Sequence, residues 1–124
     1  MERNMDLVRE ILLLSERADE RVSALALSPE SGTAREIAFH VELMEAHGLL
    51  GCKVVRSGSG AVAQCDVLGL TWEGYDYLDA IRSEKVWSRA KEAIGKAVGE
   101  TTLSVVKDAC TALASSMIKA QLGI

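Results

Sequence analysis

The sequence lacks the features of membrane, secreted and polyanion-binding proteins. No apolar run reaches the roughly 20 residues that a bilayer span needs, and the segment Met1–Asn4 leads into a mixed-charge pattern unlike a signal peptide. The net charge of −4 argues against strong, nonspecific binding to polyanions. The three cysteines fit no zinc-site spacing, so we expect reduced thiols in a cytoplasmic protein.

Aromatic residues make up only 4% of the sequence, so the core must consist mainly of aliphatic residues. The length of 124 residues predicts one folded domain. Hydrophobic residues account for 48% and charged residues for 26% of the 124 positions, which excludes a disordered chain. A chain of this length buries roughly two-thirds of its unfolded surface.

Start and stop signals predict two helices in the first half of the chain. The first runs from about Met5 to Arg17, with Asn4 as its N-cap. The second begins at Thr33, which has capping-box spacing to Glu36, and ends at Gly48. Its apolar residues fall on two sides, so we expect this helix to be sandwiched between neighbours instead of having one side open to solvent.

A β-hairpin is predicted to follow the second helix. Its strands are Cys52–Arg56 and Ala61–Val67, joined by a Ser-Gly-Ser-Gly turn, and we expect Val54 and Val62 to be neighbours across the ribbon. Together with a short early strand, the order helix, helix, hairpin is that of a winged helix.

The remaining chain is predicted to be helical, which makes the fold mainly α within the α+β class. One helix runs from Trp72 to Arg82, the next begins at Ser83, and the last ends near Gln121. We therefore expect a winged-helix-like core over residues 1–82 and a helical extension over residues 83–124, packed on the core as a single compact unit.

Apolar residues of the last helix follow alternating spacings of three and four, as in a coiled coil. This dimer stripe, a candidate homodimer interface, consists of Leu103, Val106, Cys110, Leu113 and Met117. Packing of the same stripe on the chain's own body is the alternative.

Local charge tests whether the chain binds DNA. The helix after Thr33 carries one arginine and three glutamates, so it would bring net negative charge to phosphates. The candidate DNA-binding cations lie elsewhere: Lys53 and Arg56 on the hairpin, and Lys85, Arg89 and Lys96 on one side of a later helix. For the later helix, a solvated face with ion pairs is the alternative.

The remaining polar and aromatic residues predict no enzyme, cofactor or metal centre. Glu36, His40 and His47 share one side of the second helix and could hold zinc weakly, but the spacing favours a solvated polar face. Cys52 and Cys65 could face each other across the hairpin, although buried small side chains are the favoured role. Trp72 either packs onto the hairpin or serves as an exposed anchor for a partner protein.

Three sequence blocks together resemble the uncharacterised bacterial and phage family called domain of unknown function 2513. They are Met5–Arg9, Phe39–Leu50 and Leu70–Arg82, the last followed by Val86–Trp87. The resemblance implies a small cytoplasmic, winged-helix-like protein, associated with phages or prophages and without assigned catalytic residues. We therefore expect a regulatory or adaptor protein that binds duplex DNA as a dimer. The alternative is a protein-interaction module, for example an inhibitor of a host protein, with no nucleic-acid contact.

Overall fold

The computed structural model describes residues 1–27, 29–97 and 102–123. Within them, the helices are α1 (Met5–Arg17), α2 (Ala34–Ala46), α3 (Trp72–Ile81), α4 (Glu84–Ala97) and α5 (Leu103–Leu122), and the strands are β1 (Val22–Ser23), β2 (Leu50–Arg56) and β3 (Val62–Leu70). Single turns of 3₁₀ helix follow β1. The predicted α+β class is confirmed.

The predicted caps of the first two helices are confirmed. The Asn4 side chain accepts hydrogen bonds from the backbone N–H groups of Asp6 and Leu7 at 3.0 and 3.2 Å. At the start of α2, Thr33 and Glu36 form both bonds of a capping box. Because these signals are local, the sequence specifies the starts of both helices without knowledge of the tertiary structure.

The sheet is antiparallel, with β3 between β1 and β2. Val54 lies opposite Cys65, and Val62 lies opposite Arg56. The predicted pairing of Val54 with Val62 is therefore wrong, although the hairpin itself is confirmed. Both strands also extend further from the turn than predicted, because Leu50 pairs with Leu70.

The turn of the hairpin lies at the predicted residues, and the register changes within the strands. Gly60 adopts a positive φ of 85°, which glycine reaches without steric cost. The backbone N–H of Ser57 donates to the carbonyl of Ala61 at 2.8 Å, closing the loop. The turn itself is the predicted Ser57–Gly60, because the backbone N–H of Gly60 donates to the carbonyl of Ser57 at 2.9 Å. The partners shift along the ribbon instead, at irregularities in the pairing between Val55 and Arg56 and between Gly51 and Cys52.

The chain divides into two compact units, residues 1–76 and 77–124, with the division inside α3. The predicted boundary after residue 82 lies further along the chain, and the predicted packing of the extension on the core stays a prediction. In the first unit, the core residues come from one face of α1, one face of α2, the sheet and the segment after β1. They are Leu7, Val8, Ile11, Leu12, Ala24, Ile37, Ala38, Val41, Met44, Leu49, Leu50, Cys65 and Val67.

A close junction joins the start of α3 to the end of α2. The Thr71 hydroxyl donates to the carbonyl of Gly48 at 2.5 Å and accepts from the backbone N–H of Gly74 at 3.0 Å. A Cβ on Gly74 would lie 1.9 Å from the carbonyl oxygen of Leu49. Only glycine fits at this position without a backbone shift, so Gly74 sets the distance at which α3 approaches the chain before β2.

In the second unit, α4 packs against α5. The buried residues of this unit are Tyr77, Leu78, Ile81, Val86, Trp87, Ala90, Val106 and Cys110. The Tyr77 hydroxyl donates to the carbonyl of Leu103 at 3.0 Å, which satisfies the polar end of a buried ring. Burial raises the pKa of Tyr77, so the phenol stays neutral and serves as a donor.

Candidate functional site

A groove of about 1000 Å³ runs between the outer side of α2 and the tip of the β2–β3 hairpin. We call it the α2–hairpin groove. It is lined by Met1, Arg35, Phe39, Glu42, Leu43 and Arg56, together with residues 59–62. The apolar side chains of Phe39 and Leu43 on α2 face this groove and are partly accessible.

The outer side of α2 is exposed, so the prediction that the helix is sandwiched is wrong. Leu43 is 40% exposed, Ala46 is exposed and Phe39 is half-buried. The opposite side, which includes Ile37 and Met44, is buried. The two apolar sides of α2 are therefore one core face and one exposed face. Sequence periodicity alone does not tell an exposed apolar face from a buried one.

An ion pair joins the two walls of the groove. The guanidinium of Arg56 on β2 contacts both carboxylate oxygens of Glu42 on α2, with Nη1 and Oε2 3.3 Å apart. The hydrogen bond to Glu42 and the charge of Glu42 raise the pKa of Arg56. This predicted DNA-binding residue is thus already paired with a carboxylate within the chain.

The second hairpin cation, Lys53, also faces a carboxylate. It lies opposite Asp66 in the β2–β3 register. Asp66 accepts hydrogen bonds from Gln64 at 2.6 Å and Arg21 at 2.8 Å, and these bonds, the first being the stronger influence, lower the pKa of Asp66. Both hairpin cations therefore lie close to carboxylates, Arg56 to Glu42 of α2 and Lys53 to Asp66, which offset their positive charge.

The acidic residues of α2 that counted against DNA binding have contacts within the chain. Glu36 accepts from the backbone N–H of Thr33 at 3.3 Å in the capping box, and Glu45 accepts from the backbone N–H of Cys52 at 2.7 Å. With the pair made by Glu42, each carboxylate of this helix has a structural partner. The acidity of α2 is therefore explained without any ligand.

The other predicted DNA-binding residues lie in the second unit. Lys85 and Arg89 are exposed on α4, whereas the side chain of Lys96 lies outside the described part of the chain. The structure thus divides the five candidates between the units, with Lys53 and Arg56 in the first.

The dimer stripe on α5 is covered only in its first half. Val106 and Cys110 are buried, while Leu113 and Met117 are half-buried. The first half of the stripe therefore packs within the chain, as the alternative predicted, and the dimer interface stays a prediction for the later, accessible residues.

Trp72 is 79% exposed at the start of α3, and Tyr75 on the same helix is 45% exposed. The favoured interpretation, in which Trp72 packs onto the hairpin, is therefore wrong. The aromatic ring lies in solvent because Thr71 and Gly74, on the opposite side of the first turn, are the residues that contact the preceding chain.

His40 is not on a solvated polar face, because it is 2% exposed. Its Nε2 accepts from the backbone N–H of Asn4 at 2.7 Å, and its Nδ1 lies 2.7 Å from the carbonyl of Glu36, to which it donates. Both ring nitrogens are used, and the described residues include no group of three potential metal ligands. The signal that could have revealed this role is its spacing, since residue 40 falls between the inward positions 37 and 44 of the helix.

The hairpin cysteines are poor nucleophiles. Burial, followed by the hydrogen bond and charge of Glu45, raises the pKa of Cys52 to about 12. Burial, with the charges of Asp66 and Glu42, raises the pKa of Cys65 to about 11. The two thiols are free and occupy different cross-strand pairs, so the alternative in which they face each other directly is wrong.

No helix among the described residues combines the length and the apolarity needed to cross a bilayer.

Comparisons with known proteins identify the family of the chain. The model of the family described as "Hypothetical protein (DUF2513)" matches residues 2–100, so the chain belongs to this family. An uncharacterised protein of Haemophilus influenzae (strain ATCC 51907 / DSM 11121 / KW20 / Rd) is 29% identical over 119 residues, which cover 95% of this chain and 99% of the relative. No solved structure matches the chain.

Proposed function

We propose that this member of the DUF2513 family is a non-catalytic adaptor that binds a segment of a partner protein in the α2–hairpin groove. The observation that carries the proposal is the exposed apolar side of α2, where Phe39 and Leu43 line the groove. The Glu42–Arg56 pair joins this wall of the groove to the hairpin. An amphipathic segment laid in such a groove buries its apolar side chains, and the polar rim sets its orientation.

The charges along the groove indicate the chemistry of this segment. Glu42 and Arg56 neutralise each other, whereas Arg35 lines the groove and has no ion-pair partner in the described ranges. We expect a segment with apolar anchors over Leu43 and a carboxylate facing Arg35.

The absence of catalysis is part of the proposal. The thiols of Cys52 and Cys65 have raised pKa values. Both nitrogens of His40 are hydrogen-bonded, one to Asn4 at the start of α1 and the other to Glu36 within α2. A nucleophilic thiol needs a lowered pKa, and the environments of Cys52 and Cys65 raise it instead. A reducing, cytoplasmic location agrees with the free thiols and, like the phage association, stays a prediction.

Selection of peptides on the full chain tests the groove. Random peptides displayed on a surface and enriched on the wild-type chain should bind Leu43→Glu at least about tenfold more weakly, equivalent to about 1.4 kcal/mol. Val105→Glu is the matched control, because Val105 is equally exposed but lies on α5. Enriched peptides that bind Leu43→Glu as tightly as the wild type would contradict the proposal.

Duplex DNA is the second candidate ligand, favoured by the exposure of Lys85 and Arg89 and of the hairpin tip, residues 57–60. If DNA is bound, the logarithm of the affinity should fall linearly with the logarithm of salt concentration. Replacing Lys53, Arg56, Lys85 and Arg89 with Ala should abolish binding in an anisotropy titration, while Lys119→Ala should leave it largely unchanged. Binding that does not depend on salt would contradict this candidate.

A homodimer is proposed as the state in which the protein acts. The support is the later half of the dimer stripe, where Leu113 and Met117 remain partly accessible after α5 has packed on α4. The same helix of a second copy would cover these residues about a twofold axis.

A further inference from the structure

The first turns of α3 carry a second exposed surface that the proposed groove does not use. Trp72 is 79% exposed and Tyr75 is 45% exposed, and Asp76 is exposed beside them. Positions three and four apart are neighbours on a helix, so these side chains share one side of α3. A solvent-exposed tryptophan next to a second exposed aromatic residue is typical of a binding surface, since tryptophan is usually largely buried.

The charge of this surface selects the ligand. The segment Trp72–Ile81 contains three carboxylates and no lysine or arginine. The next cation, Arg82, pairs with Asp79 at 2.7 Å, whereas Asp76 makes no ion pair within the described part of the chain. Glu73, next to Trp72 in the chain, is exposed as well and also makes no ion pair among the described residues. The segment therefore offers two aromatic rings and two carboxylates outside any ion pair, of which Asp76 is on the same side of the helix as Trp72.

We infer that this surface, formed by Trp72, Tyr75 and Asp76, binds an arginine side chain in a basic segment of a partner protein. A guanidinium can stack its plane on the indole of Trp72 and donate hydrogen bonds to the carboxylate of Asp76 at the same time. An ammonium group is a compact charge and lacks the planar stacking contact. The surface therefore distinguishes arginine from lysine.

This inference is independent of the groove. The α3 surface and the α2–hairpin groove share no residue, and they differ in chemistry, because the groove exposes an arginine and the α3 surface exposes a carboxylate. One partner with acidic and basic segments, or two partners, would satisfy both sites.

The test follows the indole N–H signals of the full chain by NMR, with Trp72→Phe identifying the Trp72 signal. The probe is a short arginine homopeptide at physiological salt, compared with a lysine homopeptide of the same length. We expect a saturable shift of the Trp72 signal with the arginine peptide, and at least tenfold weaker binding of the lysine peptide.

Variants separate stacking from general charge attraction. Trp72→Ala and Asp76→Asn should each weaken binding of the arginine peptide severalfold, measured by calorimetry, and Trp72→Phe should retain part of it. Glu84→Gln, which removes an exposed carboxylate on α4, is the matched control and should bind like the wild type. Leu43→Glu should also bind normally, so failure of the groove and failure of this surface are distinguishable.

Two results would overturn the inference. Equal affinities for the arginine and lysine peptides would show charge attraction without stacking. A Trp72 signal that does not shift at millimolar peptide would show that the surface does not bind this side chain.

Discussion

The two sides of the first turns of α3 are placed in opposite environments. Thr71 and Gly74 contact the chain between α2 and β2, through a 2.5 Å hydrogen bond to Gly48 and the close approach to Leu49. Trp72 lies mostly in solvent, and Tyr75 is 45% exposed. On one side, substitutions that remove the Thr71 hydroxyl or add a side chain at Gly74 should weaken the junction. On the other side, the exposed residues contribute little to the stability of the fold.

The largest effect is expected at the junction. Gly74→Ala should lower the free energy of unfolding by about 3 kcal/mol or more, because the new methyl group would overlap a backbone carbonyl that moves only with α2 or β2. The urea midpoint measures this loss. Gly58→Ala is the control, since a Cβ there meets nothing within 4 Å, and equal midpoints for the two variants would contradict the close approach.

Thr71→Val should have the next largest effect, a loss of about 1–2 kcal/mol in the free energy of unfolding. Valine keeps the shape of threonine but neither donates to Gly48 nor accepts from Gly74. The same urea titration applies, with Thr111→Val as the control because Thr111 is exposed on α5. If both variants unfold at the wild-type midpoint, Thr71 does not hold the junction.

Helix α5 also has a buried part, with Val106 and Cys110, next to a more accessible part, with Leu113 and Met117. Leu113→Asp tests the accessible part. We expect the free energy of unfolding of the monomer to fall by only about 1 kcal/mol, since Leu113 is half-buried. In light scattering, we expect the mass to fall from that of a dimer to that of a monomer. Thr111→Asp, on another side of the helix, should keep the dimer. An unchanged mass for Leu113→Asp would refute dimerisation through this stripe.

Trp72→Ala should have the smallest effect on stability, within about 0.5 kcal/mol of the wild type, because the side chain is 79% exposed. Thermal unfolding measures it. A loss of several kcal/mol would mean that Trp72 supports the fold and is not a free surface residue, which would remove the contrast with Gly74.

Local signals in the sequence predicted the elements well. Helix α1 begins and ends at the predicted residues, and the capping box at Thr33 is present. These features depend on side chains within four positions of each other, so no tertiary information is needed.

Features that depend on distant parts of the chain were not predicted. The register of the hairpin depends on irregularities in the strand pairing at Gly51–Cys52 and at Val55–Arg56, and alternation along the sequence does not reveal where such irregularities fall. The open side of α2 and the exposure of Trp72 depend on whether a neighbour covers them, which periodicity cannot tell. The role of Gly74 had a signal, because a glycine on the inward side of a helix lowers helix stability and therefore needs a packing reason.

The hydrogen bond from the backbone of Cys52 to Glu45 has a consequence for how the protein behaves at high concentration. Strand β2 is an edge strand of its sheet. An edge strand with unpaired amide groups can pair with a strand of another molecule. Glu45 occupies one of these amides with a charged side chain, and the Glu42–Arg56 pair stands further along the same strand. Helix α2 thus covers part of this edge, and we expect the cover to hinder strand pairing between molecules in concentrated solution.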